Sequence, residues 1–500
     1  MSLKSYLSRL YAGSVYRKIQ QWSKNPFDTQ QKVFENLIKS AKNTQFGKTH
    51  CFSEIRTYPD FKKNVPIRDY EGLKEYIDLI KQGQADVLWP GKPIYLSKTS
   101  GTTSGTKYIP ISKQSIHNHI DCARNALLCY IAQTGNTDFV NGKMIFLQGS
   151  PELSEINGIR VGRLSGIVAH HVPSYLTKNR MPTYQTNCID DWEKKVDAIV
   201  EETHKENMTL ISGIPPWVQM YFDKLIEKTG RKNIAEIFPN FSLFVYGGVN
   251  YEPYRARFEQ SIGKKIDSIE VYPASEGFIA FQDSQKHHGL LLVLNKGIFY
   301  EFIPAEEYFN SNPTRISLQD VELNKNYALI LNTNAGLWGY SIGDTIKFIS
   351  KNPYRIIVTG RIKHFTSAFG EHVIAEEVEY ALQQTLSSYP AEITEFHVAP
   401  QVQPKEGLPY HEWFVEFTKE PENISSFCTK IDIELQNKNV YYKDLRQGNM
   451  LCELKITPLK KNAFVEYMKG LGKLGGQNKM PRLANDRTIA KELQNYISLI

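Results

Sequence analysis

Residues 97–107 of the 500-residue chain, SKTSGTTSGTK, contain an unbroken run of Ser, Thr and Gly at 99–106 that ends on Lys107. Residues 94–96 before the run predict a strand, and residues 113–133 predict a helix whose positive end would face the same place. Small residues let backbone N–H groups turn toward a phosphate, and a lysine adds a positive charge. A flexible linker has the same composition, but such linkers are uncommon inside a domain. The position therefore favours a phosphate-binding loop, although it lacks the G-x-x-x-x-G-K-[ST] pattern of a P-loop.

Outward from this loop, helices and strands alternate along the chain. Residues 1–45 predict helices, with Phe34, Leu37, Ile38 and Ala41 on one apolar face. Further helices are predicted at 68–82, 191–207, 216–229 and 253–261, and strands at 143–147, 210–211, 241–246 and 268–272. This alternation is typical of a parallel, layered α/β sheet. Residues 290–359 instead predict successive strands and hence a β-rich section.

The pair Gly360-Arg361 follows the last of these strands and predicts a domain boundary. Beyond it, helices at 374–388 and 424–437, with strands at 395–399 and 413–417, predict a small α+β module. We therefore predict a large domain over residues 1–360 and a small domain over residues 361–500. The small domain has 17 Lys and Arg against 18 Asp and Glu, so the positive excess belongs to the large domain.

The composition is that of a globular protein, with 41% hydrophobic and 23% charged residues. It excludes a disordered tail protein, a collagen and a small disulfide scaffold. A net charge of +7 fits a protein that handles anions and does not imply nucleic acid. The six cysteines form no C-x-x-C pair, and we find neither a signal peptide nor an apolar run of ~18 residues. We therefore expect a cytoplasmic protein with reduced thiols and neither a nucleic-acid nor a membrane partner. The oligomeric state stays open, with a monomer favoured over an oligomer.

A second segment, residues 271–277 (VYPASEG), ends a predicted strand in a tight turn. The carboxyl ends of such strands are where open α/β sheets bind ligands. A carboxylate at Glu276 can hold Mg²⁺ against phosphates, and the Tyr272 ring can cover a base. On this segment alone, an ordinary β-turn with a solvated Glu is the commoner explanation.

Three later segments carry similar signals. In residues 338–344 (WGYSIGD), Asp344 can accept hydrogen bonds from two ribose hydroxyls, although an Asp in a hairpin turn is at least as common. Arg361 at the boundary can reach a ribose or a phosphate, whereas basic residues in linkers are usually only solvated. In residues 475–482 (GGQNKMPR), Lys479 lies on a constrained loop and can neutralise charge between an acyl carboxylate and an α-phosphate, with a surface loop as the ordinary alternative.

In this order, the segments resemble those of the adenylate-forming enzymes, the superfamily of acyl-CoA synthetases and luciferase. They are most similar to the Gretchen Hagen family of acyl acid amido synthetases, first known as plant auxin-responsive proteins. That family's Ser-Ser-Gly-Thr-Ser-Gly-Gly loop with a following Lys resembles residues 99–107, and its Tyr-Ala-Ser-Ser-Glu resembles residues 272–276. Its Tyr-Arg-x-Gly-Asp resembles residues 340–344, and its Gln-Tyr-Lys-x-Pro-Arg resembles residues 477–482. The likeness spans residues 40–490.

Three departures accompany the resemblance. The pair Thr102-Thr103 lengthens the first loop, and Pro273 replaces a small residue. Both leave the loop glycines, Lys107 and Glu276 in place. Ser341 stands where the family often has Arg, which removes a cation near the site and leaves the plant-type substrate in doubt.

The resemblance implies a large N-terminal adenylate-forming domain, made of layered α/β sheets and a β-rich subdomain, and a small mobile α+β C-terminal domain. It implies an ATP-dependent ligase with Mg²⁺ as a further cofactor. A carboxylate would attack the α-phosphate of ATP to give an acyl-adenylate and pyrophosphate. An amine, usually an amino acid, would then attack the acyl carbon and release AMP.

The resemblance also implies roles for individual residues. Lys107, Glu276 as the Mg²⁺ ligand, and Lys479 would be catalytic. Residues that would bind ATP or AMP are Ser100, Gly101, Thr102, Thr103, Ser104, Gly105, Thr106, Gly247, Gly248, Tyr272, Ser275, Asp344 and Arg361. An acyl pocket would involve Asn125, Leu128, Cys129 and Trp217.

Two other functions stay open at this point. An acyl-CoA ligase would use the same adenylate with a thiol acceptor, and a nucleotide-binding regulator would have lost catalysis. Retention of the lysines and carboxylates of the motifs argues against the regulator. The pairs His170-His171 and His287-His288 have no third ligand spaced nearby, so we interpret them as structural or surface residues rather than metal ligands.

Overall fold

The computed structural model describes residues 2–100, 106–172, 178–248, 251, 255–362, 365–366, 371, 373–447, 450–475 and 478–498. The chain forms two compact units. Unit 1 comprises Met1–Ile214, Tyr221–Gly248 and Lys265–Ile357, and unit 2 comprises Pro215–Met220, Val249–Lys264 and Val358–Ile500. The division into domains over 1–360 and 361–500 stays a prediction.

The strands are β1 (Tyr95–Ser100), β2 (Thr106–Ile111), β3 (Lys143–Phe146), β4 (Ser154–Ile156), β5 (Ile159–Gly162), β6 (Arg180–Met181), β7 (Met208–Ser212), β8 (Leu243–Gly247), β9 (Asp267–Ala274), β10 (Gly277–Phe281), β11 (Leu290–Leu292), β12 (Ile298–Pro304), β13 (Asn326–Thr333), β14 (Tyr340–Lys351), β15 (Tyr354–Arg361), β16 (Phe365–Thr366), β17 (Val373–Ile374), β18 (Glu392–Gln401), β19 (Tyr410–Lys419) and β20 (Lys455–Leu459).

The helices are α1 (Leu3–Ser23), α2 (Pro26–Ala41), α3 (Gln45–Thr49), α4 (Tyr58–Asn64), α5 (Tyr70–Lys81), α6 (Ile116–Thr134), α7 (Leu164–Ala169), α8 (Tyr184–Asn187), α9 (Trp192–Thr203), α10 (Pro215–Thr229), α11 (Ile234–Ile237), α12 (Arg255–Ile262), α13 (Ala375–Ser388), α14 (Ile424–Lys438), α15 (Val440–Gln447), α16 (Ala463–Gly470) and α17 (Thr488–Leu493).

Unit 1 is built on an 11-stranded sheet of order β12-β13-β14-β15-β11-β10-β9-β8-β7-β3-β6. Strands β6, β3, β7, β8 and β9 are parallel, which confirms the alternating α/β pattern of residues 143–272. From β9 to β11, and from β12 to β14, neighbouring strands pair antiparallel, as the run of successive strands predicts. The parallel strands β7, β8 and β9 therefore end at one edge, where the motif of residues 271–277 lies.

The helices of unit 1 follow the apolar periodicity of the sequence. In α2, Phe34, Leu37, Ile38 and Ala41 are all buried, so the predicted apolar face is confirmed. Helix α5 begins after Asp69, whose side chain accepts a hydrogen bond from the backbone N–H of Gly72. Both helices pack into the main core of unit 1, beneath the strands that carry the motifs.

A second sheet of unit 1, with strand order β2-β1-β5-β4, corrects one prediction. The serine- and threonine-rich segment does not lead directly into a helix: Thr106–Ile111 forms strand β2, which pairs antiparallel with β1, and α6 begins only at Ile116. The apolar end of the segment explains this, because Ile109 and Ile111 are buried while Thr106 at its start is exposed. Residues 99–100 and 106 of the phosphate loop proposed from sequence thus belong to the paired strands β1 and β2, and its residues 101–105 lie outside the described residues.

Unit 2 contains a three-stranded sheet of order β18-β19-β20, in which β18 and β19 are antiparallel and β19 and β20 are parallel. Its core includes side chains of α13, α14 and this sheet. The segment Val249–Lys264 joins the unit through Arg257, whose Nη1 donates to the hydroxyls of Thr394 at 3.1 Å and Thr418 at 2.9 Å.

A buried ion pair stabilises the β-rich half of unit 1. Glu301 of β12 is fully buried, and its two oxygens accept hydrogen bonds from Nε and Nη2 of Arg315 at 3.1 and 2.9 Å. Tyr58 and Asn332 donate two further hydrogen bonds to the same carboxylate. The three partners lie 14, 31 and 243 residues from Glu301 in sequence, so this cluster ties α4 and β13 to β12.

Replacement of Arg315 by Ala should lower the free energy of unfolding by about 3–5 kcal/mol, because it leaves the Glu301 charge buried without its cation. Thermal or urea unfolding of the purified variant measures this loss. Lys325→Ala is the matched control, since its nitrogen lies 3.7–3.8 Å from two exposed glutamates and such pairs contribute within about 1 kcal/mol. Equal stability of the two variants would contradict the assignment.

Candidate active site

The turn between β9 and β10 lies at the centre of the candidate site. It places Ser275 and Glu276 directly after the carboxyl end of β9, beside the end of β8. The two strands approach closely there, because a Cβ on Gly247 would lie only 2.3 Å from the carbonyl oxygen of Val271. The next residue, Gly248, has a φ of +88° and is exposed. Because neither Gly247 nor Gly248 has a side chain, the space beside the β9–β10 turn stays open.

Glu276 is held by a tyrosine from the third motif. The hydroxyl of Tyr340, the first residue of β14, donates a hydrogen bond to Oε1 of Glu276 at 3.1 Å. Burial, together with the neighbouring Glu276 charge, raises the pKa of the Tyr340 phenol well above its ordinary value. The phenol is therefore a neutral donor at any physiological pH, and it fixes the orientation of the carboxylate.

A second tyrosine links the same two motifs, but here residues 271–277 provide the donor and residues 338–344 provide the acceptor. The hydroxyl of Tyr272, near the end of β9, donates to Oδ2 of Asp344 in β14 at 2.5 Å. The ring of Tyr272 is buried, while Asp344 is only partly buried. The structure thus brings Tyr272 and Asp344 together as a hydrogen-bonded pair near the carboxyl end of β9.

A serine pair brings the hairpin that carries the first motif to the same turn. Ser97 of β1 donates from its Oγ to Oγ of Ser275 at 3.1 Å, and both side chains are buried. Ser97 precedes the Ser, Thr and Gly run by two residues, so the run begins next to the β9–β10 turn. Three motifs that are far apart in sequence therefore meet in unit 1.

Lys107 lies in β2, opposite Thr99 of β1, and is partly buried. Its Nζ lies 5.5 Å from the centre of the Tyr70 ring, and the Tyr70 hydroxyl accepts a hydrogen bond from the backbone N–H of Tyr108. Such a cation–π contact orients the ammonium without neutralising it. Thr106 is exposed opposite Ser100, and the other proposed loop residues, Gly101, Thr102, Thr103, Ser104 and Gly105, lie outside the described residues.

Two of the residues predicted for nucleotide binding and catalysis, Arg361 and Lys479, belong to unit 2. Arg361 ends β15 and is exposed, after Gly360 with a φ of +147°. Lys479 is also exposed, on a segment whose base is buried in unit 2. Arg482 of that base pairs with Glu395, and the carbonyl oxygen of Pro481 lies 2.8 Å from Nδ1 of His397. The lysine is thus presented from a firmly packed support.

The four residues predicted for an acyl pocket are placed as follows. Leu128 and Cys129 of α6 are buried in a core that also contains Phe139, and burial raises the pKa of the Cys129 thiol, so the thiol is neutral. Asn125 on the same helix is only partly buried. Trp217 is buried in the first turn of α10 and belongs to unit 2. Of the three predicted acyl-pocket residues in unit 1, Asn125 is therefore the most accessible to solvent.

Ser341 occupies the position where the family often has Arg. Its Oγ accepts a hydrogen bond from the hydroxyl of Tyr308 at 2.8 Å. Because successive side chains of a strand face opposite sides, Ser341 lies on the face away from Tyr340 and Glu276. That the missing Arg removes a cation near the site, and bears on the substrate, stays a prediction.

Sequence reasoning missed two contributors, Ser97 and the hydroxyl of Tyr340. Both residues stand inside or beside quoted motifs, but their roles depend on contacts across 178 and 64 residues of sequence. Of the adjacent histidines, His171 Nε2 lies 3.0 Å from the Tyr95 hydroxyl and His170 Nε2 lies 2.8 Å from a backbone carbonyl oxygen, while His287 and His288 are exposed. Within the described ranges, no cluster of three His, Cys, Asp or Glu side chains can hold a metal ion.

Comparison with known proteins covers nearly the whole chain. A jasmonoyl–L-amino acid synthetase of Nicotiana attenuata, JAR4, is 22% identical over 554 aligned residues, which cover 94% of this chain and 93% of the relative. The solved structure titled "AtGH3.15 acyl acid amido synthetase in complex with 2,4-DB" superposes with a TM-score of 0.80 at 16% identity and covers 98% of this chain and 96% of that one. A 2-hydroxyisobutyryl-CoA ligase bound to its acyl-adenylate superposes with a TM-score of 0.53 at 12% identity, over 96% and 91% of the two chains.

These structural likenesses confirm the predicted fold class, a large α/β part with a smaller C-terminal α+β part. Family models match along the chain as well: the GH3 family N-terminal domain over residues 15–188, the GH3 family central domain over 291–361 and the GH3 family C-terminal domain over 376–488. The protein therefore belongs to the GH3 family, the Gretchen Hagen family that its motifs resemble.

Proposed function

We propose that this protein is an ATP-dependent ligase. It activates a carboxylic acid as an acyl-adenylate and joins the acyl group to an amine, in particular an amino acid, with release of AMP and pyrophosphate. The observation that carries the proposal is the meeting of three motifs at the β9–β10 turn through three hydrogen bonds, Ser97 to Ser275, Tyr340 to Glu276 and Tyr272 to Asp344. The relatives named above support it, because by name one is a jasmonoyl–L-amino acid synthetase and the other an acyl acid amido synthetase.

Electrostatics decides what the first half-reaction needs. An acid carboxylate and a nucleotide triphosphate are both anions, so cations must reduce their repulsion before an oxygen can approach the α-phosphate. Lys107 supplies one such charge, held beside the run of residues 99–106 by its contact with the Tyr70 ring. Lys479 supplies a second one from the C-terminal part of the chain.

The residues present fit a magnesium ion. Glu276 offers hard carboxylate oxygens, which Mg²⁺ prefers, and Tyr340 fixes the carboxylate so that it needs no reorganisation. When bound, the ion would neutralise charge on the triphosphate oxygens. We therefore assign Glu276 as the residue that holds Mg²⁺.

The nucleoside is assigned to the tyrosine–aspartate pair. A carboxylate has several acceptor positions, so Asp344 can accept from ribose hydroxyls while it accepts from Tyr272. The hydrogen bond also fixes the Tyr272 ring, which with Gly247-Gly248 provides a flat surface for adenine. Arg361 and the loop residues Ser100–Thr106 complete the proposed nucleotide contacts, and Ser275 supports the loop through Ser97.

The second half-reaction requires no nucleophilic side chain. The amine of the acceptor attacks the acyl carbon of the mixed anhydride, the bond from that carbon to the phosphate oxygen breaks, and AMP leaves. Water exclusion and orientation are then the contributions of the protein. Asn125, Leu128, Cys129 and Trp217 are proposed for the acyl side.

The test of the function is a product assay with ATP, a library of carboxylic acids, and either amino acids or CoA as acceptor. We expect AMP release with at least one acid and an amide product in the presence of an amino acid. Mass spectrometry of the products distinguishes an amide from a thioester. Thioester formation alone would make the protein an acyl-CoA ligase, and pyrophosphate exchange at background for every acid would make it a nucleotide-binding regulator.

The site assignment has a sharper test. Glu276→Gln and Lys107→Ala should each lower acid-dependent pyrophosphate exchange by about 100-fold, since each removes a preorganised charge that acts on the triphosphate. Lys113→Ala is the matched control, because Lys113 is an exposed lysine just beyond β2. Thermal unfolding of all three variants checks that they fold.

Exchange at the wild-type level in both Glu276→Gln and Lys107→Ala would exclude this site. A loss in the Lys113→Ala control would show that the assay reports general charge rather than the site.

The role proposed for Lys479 predicts that its replacement affects the rates of the two half-reactions differently. Its charge is needed where the acid carboxylate meets the α-phosphate, and the later attack on the acyl carbon does not bring two anions together. Lys479→Ala should therefore lower pyrophosphate exchange by about 10–100-fold but leave amide formation from a supplied synthetic acyl-adenylate within about twofold. Lys473→Ala, an exposed lysine of the same unit, should change neither. Equal losses in both half-reactions would contradict the assignment.

A further inference from the structure

Helix α1 presents an apolar stripe to solvent. Leu3, Tyr6, Leu7, Leu10 and Tyr11 are between 49% and 74% exposed. Their spacing of three and four residues places them on one side of the first turns of the helix. Single exposed apolar residues are ordinary, but a continuous stripe of five large ones marks a surface that contacts something else.

The opposite side of α1 is fixed to the body of unit 1. Ala12 and Ile19 are buried in the core that contains Cys129 and Phe139. At the start of the helix, Oγ of Ser2 donates to Oδ1 of Asn141 at 2.8 Å. The helix cannot turn its outer stripe inward without losing these contacts.

The charged side chains that residues 2–27 contribute to this surface all have one sign. Residues 2–27 contain five basic residues and no acidic residue, the first acidic residue being Asp28. Arg17 and Lys18 follow Leu10 and Tyr11 by seven residues, so they continue the stripe on the same side of the helix. Lys4 and Arg9 flank the stripe at its start, and all four of these side chains are exposed.

We propose that α1 is a docking surface for an anionic lipid bilayer. The helix would lie in the plane of the interface, with the apolar stripe among the headgroups and acyl chains and the basic residues on lipid phosphates. Charge complementarity favours this occupant over a second copy of the chain. Two such stripes packed together would bring identical basic residues into contact, which costs free energy.

The proposal revises the expectation of no membrane partner. That expectation rested on the lack of a long apolar run, and none of the helices among the described residues is long and apolar enough to span a bilayer. An interfacial helix needs only one apolar side flanked by cations, not a continuous apolar run. The proposal concerns where the protein binds and does not depend on the proposed reaction.

Sedimentation with lipid vesicles tests it on the full chain. We expect binding to phosphatidylcholine vesicles that contain about a third of phosphatidylglycerol, weaker binding as salt rises, and little binding to phosphatidylcholine alone. The double variant Leu7→Ser/Leu10→Ser should reduce the affinity about 100-fold, at about tenfold for each leucine. Lys4→Gln and Arg9→Gln should each reduce it about fivefold at low salt and less at high salt.

Leu323→Ser is the matched control, because Leu323 is a 47% exposed leucine of unit 1 outside α1. It should bind vesicles as the wild type does. All the substituted side chains are exposed, so melting temperatures should stay unchanged and any loss of binding reports the surface itself.

Absence of binding to anionic vesicles at low salt would overturn the proposal, and so would equal binding by the Leu7→Ser/Leu10→Ser variant. A dimer in analytical ultracentrifugation that this variant dissociates would assign the stripe to a second copy instead. Binding that depends on anionic lipid and is lost in the variant supports the bilayer.

Discussion

The hydroxyl of Tyr340 donates a hydrogen bond to the Glu276 carboxylate, and the geometry of the candidate site depends on this contact. The phenol can do so only where it stays neutral, which burial ensures. Its position in turn depends on Gly339, whose φ is +56° and whose Cβ, if present, would lie 2.5 Å from the carbonyl oxygen of Pro66. Backbone hydrogen bonds between Arg68 and residues 339 and 341 hold the start of β14 at that place. The approach of these backbone segments thus directs Tyr340 toward the turn.

Two carboxylates at a centre proposed to hold a polyanion need a physical explanation. Direct contact of Glu276 or Asp344 with phosphate oxygens would be repulsive. The arrangement is favourable when each carboxylate acts on a group that is not an anion, Glu276 on a divalent cation and Asp344 on ribose hydroxyls. Tyrosine donors to both carboxylates fix their orientation without adding charge. The same argument explains why the proposed cations stand on the neighbouring hairpin and on the C-terminal part rather than in the turn itself.

Sequence periodicity predicted those features that are local. The helix face of Phe34, Leu37, Ile38 and Ala41 and the parallel strands of residues 143–272 follow from spacing that neighbouring residues determine. The motif positions were equally visible, because Gly, Ser and charged residues stand out in a short window. The proximity of the motifs in space was not visible in the sequence, since the contact of Ser97 with Ser275 spans 178 residues and leaves no periodic signal. The strand that contains Lys107 was missed for a related reason: a short segment after a glycine-rich run resembles a loop until its partner strand is known.

The outer side of α1 shows a further limit of sequence patterns. Leu3, Leu7 and Leu10 on one side, and Ala12 and Ile19 on the other, give the helix apolar residues around most of its circumference. Periodicity alone therefore cannot tell which side is buried, and only the packing against α6 settles it. The charge shows the same limit. A net charge of +7 over 500 residues is mild, yet five basic residues without an acidic one lie within residues 2–27, so the rest of the chain is close to neutral. The excess of positive charge is small when averaged over the chain but concentrated in α1. There the basic residues flank an apolar stripe rather than a nucleotide site.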